Sequence, residues 1–218
     1  MALGSDQWTT IATVGVLGFV GIRLATGLRY SAAKEGRALI GSVWRGVRWR
    51  HVWPVPLVLT VIVLVASALV QVPGLDWGWW TALGGEGNPV SGGSAATTGT
   101  VWEWIVPLLF GCMLLPALPL FAHAEERMFR LGAESWSWRR RALKCAQFGL
   151  VHALIGIPIG VALALSVGGA YFMRVYLRAF RRTGSSREAT LESTRAHTTY
   201  NTAIITLVLV LAVTTALG

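Results

Sequence analysis

The chain has 218 residues, 54% of them hydrophobic and only 13% charged, with a formal net charge of +9. Its mean hydropathy is +0.56. A soluble domain of this size must cover its surface with polar groups, so this composition argues against one and predicts an all-α, polytopic transmembrane helix bundle. The surplus of positive charge then belongs to cytoplasmic loops beside anionic headgroups, not to a nucleic-acid partner.

The opening "MALGSDQWTT" lacks the basic region of a signal peptide, so the first apolar run, 7–28, is expected to be retained as a span. Next comes "SAAKEGRALIGSVWRGVRWRHVWP", which mixes basic and apolar residues as an interfacial amphipathic helix does. The second span is expected over 54–72, followed by a Gly/Ser-rich outer loop, "GGEGNPVSGGSAATTG", and a third span over 102–124. The apolar stretch 139–173 would be about 50 Å long as one helix, far more than one crossing needs. "GIPIG" at 156–160 lies at its middle and permits a turn, giving two legs of about 17 residues; a single kinked helix is the alternative. A last span covers 195–217.

Charge chooses between these. All 19 Lys and Arg lie in or beside segments 23–50, 127–144 and 174–195, while 72–101 carries Asp76 and Glu86 but no Lys or Arg. Six crossings put all three basic segments in the cytoplasm and both termini outside, as the positive-inside rule prefers. Trp77, Trp79, Trp80, Trp102 and Trp104 bracket the outer loop, and Trp44, Trp49, Trp53, Trp136 and Trp138 flank the inner side, a double interfacial belt. Cys112 and Cys145 form no metal-type pair and are read as packing residues. The organisation expected is two N-terminal spans with their loops over 1–100 and a four-span core over 101–218.

Few ionisable groups remain inside or near the spans: Glu125, Glu126, His123, His152 and His197. Such groups are costly there and tend to be buried, paired or functional. Glu126 and Arg130 stand four apart on one helical face, where carboxylate and guanidinium can pair, and Glu125 points about 100° away from Glu126. Phe148 and His152 share the same spacing, as do His197 and Asn201. His51 and His123 have no partner at such a spacing and are read as interfacial. Each pair alone also suits helix-end charges or interhelical hydrogen bonds. Their concentration on three spans, at one depth and one side, favours a site.

"EERMFR" (125–130), "FGLVH" (148–152) and "HTTYN" (197–201) fit E-E-x-x-x-R, F-x-x-x-H and H-x-x-x-N in order. In this the chain resembles the CPBP family, the CaaX-prenyl-protease and bacteriocin-processing proteins, also called Abi. The motifs cover spans three to six; residues 1–100 carry no mark of the family. The resemblance implies a glutamate-dependent intramembrane endopeptidase, a multi-pass protein of a prokaryotic cell membrane. In it Glu125 would be the catalytic glutamate, His152 its paired histidine, and His197 with Asn201 the oxyanion pair. Glu126, Arg130 and Phe148 would support them. The substrate expected is a membrane-associated peptide, prenylated or leader-like, and no cofactor is implied.

The chemistry suits those groups, since a carboxylate can take a proton from water that an imidazole positions, and two donors can hold an oxyanion. Two alternatives stay open. Glu125, His152 and His197 also make a His₂Glu set of the kind that binds catalytic zinc, although no H-E-x-x-H is present. A non-enzymatic membrane protein, such as an immunity factor or a small transporter, is the other; the sequence has no internal repeat of the kind transporters show.

Overall fold

The structure is a computed structural model that describes residues 5–79, 100 and 102–217. Every regular element among the described residues is helical. In chain order they are α1 (Ser5–Ala32), α2 (Lys34–Gly46), the single turn α3 (Trp49–Val52), α4 (Pro54–Leu69), α5 (Trp102–Arg130), α6 (Trp138–Leu150), the short α7 (Ile159–Ala164), α8 (Ser166–Thr183) and α9 (Ser186–Leu217). Among the described residues two stretches, Trp49–Leu69 and Ile159–Thr183, are long and apolar enough to cross a membrane. Leu57, Leu64, Leu207 and Val210 point outward from the bundle. An outward leucine needs no partner where the surrounding medium is hydrocarbon.

The expected spans differ from the helices mainly at their ends. The helix expected over 102–124 continues to Arg130, because its intrahelical hydrogen bonds do not depend on apolar side chains and Glu126 and Arg130 find partners inside the bundle. The helix expected over 54–72 ends at Leu69 and gives way to turns through Gly74. The last helix begins at Ser186, nine residues before the apolar run. Within the interfacial segment, α2 is the amphipathic helix, with Gly36 and Val43 buried. The whole Gly/Ser-rich loop, 84–99, and Trp80 lie outside the described residues.

The 139–173 stretch reverses. α6 is capped by Ser137, whose hydroxyl accepts the Arg140 N–H, and leads through a 3₁₀ turn, Val151–Ile155, to Gly156 at φ 88°. Only glycine takes that left-handed conformation without strain, and Pro158 then opens α7. The two legs return against each other at their glycines. A Cβ on Gly149 would meet the Ala162 carbonyl at 2.3 Å, and one on Gly169 would meet the Cys145 carbonyl at 3.0 Å. These are close backbone approaches of the small-residue kind.

Long-range contacts sort the two ends. At one end the reversal is stitched to segment 75–79: Ile159 N–H donates to the Trp77 carbonyl (3.0 Å), Gly160 N–H to Leu75 (2.6 Å) and the Trp79 indole to Ala153 (2.8 Å). At the other end the three basic segments meet. Arg50 reaches Glu192, and Ser186 donates to Glu134, which also accepts from Tyr176. The core between them is built on Phe148, Phe172 and Tyr200 with Val58 and Ile62 of α4. Cys145 joins a second buried cluster with Tyr176, whereas Cys112 is exposed; a thiol facing outward in an apolar run corrects its reading as a packing residue.

Candidate active site

The last turns of α5 carry two adjacent glutamates facing different ways. Glu126 points inward and is fully buried, while the Glu125 side chain is 35% exposed. Arg130, one turn on from Glu126, is also buried and donates from Nη1 to Glu126 Oε1 at 2.8 Å. The pairing follows from their spacing. Its guanidinium lies over the Phe148 ring, 4.4 Å from the centroid, and 5.3 Å from that of Phe172. Aromatic faces on a buried guanidinium recover part of its lost hydration.

From α9, His197 donates its Nδ1–H to Glu126 Oε1 at 2.9 Å. Its ring stacks on Phe172 (centroids 4.4 Å apart, planes at 21°) and meets the edge of Phe148. With Nδ1 so engaged, Nε2 is turned to Glu125 and lies 3.8 Å from Oε2. The Ser193 hydroxyl, one turn before His197, completes the shell of Glu126 by approaching Oε2, with the Phe172 carbonyl as its second acceptor at 3.0 Å. Glu126 is thus a hub with three partners. Glu125 is its opposite: its Oε2 is buried and has no hydrogen-bond partner.

His152 sits in the 3₁₀ turn after α6. Its Nδ1 donates to the Phe148 carbonyl at 2.9 Å, with Gly149 at 3.2 Å, which leaves Nε2 the unprotonated nitrogen of the neutral ring. Its ring meets that of Phe148 at 5.4 Å, and Phe148 meets His197 at 5.5 Å, so Phe148 stands between the two histidines. Glu125 and His152 form no direct hydrogen bond or ion pair with each other. Asn201 lies one turn beyond His197, half-buried. The structure therefore brings Glu125, Glu126, Arg130, Phe148 and His197 into one contiguous cluster. It adds His152 through Phe148, and Asn201 only by its place on α9.

Among the described residues no three His, Cys, Asp or Glu side chains converge as a group able to hold an ion.

The sequence reading overlooks Ser193 and takes His51 and His123 as interfacial. Ser193 is one helical turn from His197, so S-x-x-x-H spacing could have revealed it. His51 is not an interfacial bystander: it is 2% exposed, accepts the Arg48 N–H at Nδ1 (2.9 Å) and faces Glu192 Oε1 from Nε2 at 3.0 Å. Arg50 (2.7 Å) and Arg195 (3.1 Å) also hold Glu192. Burial alone would raise the pKa of this carboxyl; the hydrogen bond from His51 and the guanidiniums of Arg50 and Arg195 outweigh it and hold it at about 2. His123, likewise read as interfacial, meets the Thr194 hydroxyl at 3.2 Å across the bundle.

No family model, curated protein or solved structure matches the chain.

Proposed function

We propose that the chain is a multi-pass membrane endopeptidase of the CPBP type, in which Glu125 activates a water molecule against a peptide bond. One observation carries this reading: a buried, unpartnered carboxylate oxygen of Glu125 faces Nε2 of a histidine whose other nitrogen is anchored on a second, fully satisfied carboxylate. A buried acceptor left without a partner is costly, and such strain is retained where a reacting group will fill the gap.

Nδ1 of His197 is given to Glu126, so a role for this ring as an oxyanion donor requires a proton on Nε2 as well in the reacting state. Glu125 takes a proton from water as the water oxygen bonds to the amide carbon; His152 Nε2 accepts a hydrogen bond and orients that water. The carbonyl oxygen, now an oxyanion, is held by His197 Nε2–H and the Asn201 amide. Glu125 then returns the proton to the departing amine as the C–N bond breaks. Glu126, Arg130 and Ser193 touch no reacting atom and act by positioning His197.

Six spans with both termini outside accompany this proposal. Support comes from the two ends of the bundle: three basic segments gather at one, and the reversal at Gly156 packs on segment 75–79 at the other. The site then opens just below the cytoplasmic surface, where a membrane-associated peptide can reach it.

The test is N-terminal peptide mapping of membranes from cells expressing the wild-type chain or Glu125→Gln. New membrane-protein N-termini should appear with the wild type and be absent from the variant at equal expression. Identical maps would overturn the peptidase reading.

A further inference from the structure

Away from Glu125, a cleft of about 560 Å³ opens between the start of α4 and one face of α8. Its charged wall is Arg174, Arg178 and Arg182, spaced four apart so that they form one row, with Arg50 opposite. Among the described residues its only acid is Glu192, whose oxygens are already held by His51, Arg50 and Arg195, with Arg182 at 3.9 Å. Arg174 and Arg178 take part in no ion pair among the described residues, and both are exposed. Arg181 joins the same three α8 arginines around an adjoining, more open concavity. Surplus guanidiniums held this close repel one another until an anion sits between them.

The other wall is apolar, and it leads somewhere. Trp53, Leu57, Val61 and Leu64 are all exposed and lie on one side of α4 at spacings of four, four and three. They form a track of roughly 16 Å from the arginines down a helix apolar enough to cross a membrane. A peptide or nucleic acid has no use for such a track beneath its charges. A molecule with an anionic head and a hydrocarbon tail matches both walls at once.

We infer that this cleft is a binding site for an anionic phospholipid, its phosphate held by Arg174 and Arg178 and an acyl chain laid along Trp53, Leu57, Val61 and Leu64. The guanidinium fork matches phosphate oxygens in pairs, which an ammonium would not. Trp53 stands at the joint between head and tail, the level at which indoles settle. The phosphate also lies beside Arg50 and Arg182, so the lipid ties α3 and α4 to the α8–α9 corner. This inference needs α4 to face lipid but is independent of the peptidase reading.

Native mass spectrometry of the full chain, released from neutral detergent micelles and titrated with dioctanoyl phosphatidylglycerol, tests it. One lipid should bind per chain, with dioctanoyl phosphatidylcholine at least about tenfold weaker, since its choline cancels the headgroup charge. The double variant R174Q/R178Q should lose roughly tenfold or more in affinity, while R139Q/R140Q, which removes the same charge elsewhere, should match the wild type. Leu57→Ala should weaken the lipid about threefold through lost acyl contact. Inorganic phosphate at equal concentration should not displace the lipid. Equal binding of phosphatidylcholine, equal loss in the two double variants, or no bound lipid would each overturn the site. Displacement by inorganic phosphate as strong as by lipid would show an anion site alone and overturn the acyl track.

Discussion

The molecule holds two carboxylate centres of similar composition, and they make an instructive pair. Glu126 and Glu192 each bind one histidine and at least one arginine. Around Glu126 everything is buried: Arg130 is 1% exposed and the floor is Phe148 and Phe172. Around Glu192 the arginines run outward, with Arg50 52% exposed. The decisive difference is the neighbour. Beside Glu126 stands Glu125 with an unpartnered oxygen, whereas the Glu192 oxygens are all engaged. An ion cluster whose carboxylate is satisfied holds helices together; one adjoining a second carboxylate with an unpartnered oxygen can also do chemistry.

The largest effect expected separates the centres by activity. Glu125→Gln should lower cleavage by roughly 10²–10⁴, the usual worth of a general base, with thermal unfolding in detergent changed by less than about 0.5 kcal/mol. Glu192→Gln should show the reverse, losing stability while a folded sample cleaves at a rate near wild type. Equal loss of cleavage in both variants would erase the distinction. Arg130→Met comes next. It leaves Glu126 buried without its strongest partner, and broken buried pairs cost about 3–5 kcal/mol. His197 and Ser193 stay in place, so the lower end is expected. A loss below about 1 kcal/mol would mean that those two satisfy Glu126 unaided.

How these centres could be read from sequence differs for a physical reason. Glu126–Arg130 and the reversal at Gly156 are local: one is a helical spacing, the other a glycine and a proline in a run too long for one crossing. His51 and Glu192 are 141 residues apart, and no periodicity in either segment announces the other. Ser193 lies between these cases, local to His197 but pointing at a distant α5. The exposed Cys112 and the outward leucines of α4 show a second limit. When the surroundings are hydrocarbon, apolar residues line both faces of a helix, so hydropathy does not separate core from periphery. The helix ends past 124 and before 195 were hidden likewise, because a helix need not stop where the apolar run does.

At the second centre pH sharpens the contrast. Glu192 has its carboxyl held at about 2, below the ordinary 4.5, so its contribution is complete above pH 4.5 and is lost as pH falls toward 2. Glu192→Gln should therefore cost up to about 3 kcal/mol at pH 7, the upper bound set by the shift. The gap between wild type and variant should close steadily between pH 4.5 and 2. It is read from denaturant midpoints in a detergent that tolerates acid. A gap independent of pH across that window would mean that packing, not charge, holds His51 against α9.

The smallest effect compares the two arginines directly. Arg50 approaches Glu192 more closely than Arg130 approaches Glu126, 2.7 Å against 2.8 Å, so distance alone would rank Arg50 the stronger partner. Exposure reverses the ranking. Half of the Arg50 side chain remains in solvent, where water and salt screen the pair, and Glu192 keeps His51 and Arg195 when Arg50 is gone. Arg50→Gln should cost less than about 1 kcal/mol at low salt. That cost should shrink further at high ionic strength, while the cost of Arg130→Met should hardly move, because mobile ions do not reach a buried pair. Unfolding of both variants at two salt concentrations checks this. Equal salt sensitivity would mean that mobile ions reach the Glu126 centre, and the contrast drawn here between a buried and a solvent-facing carboxylate would fall.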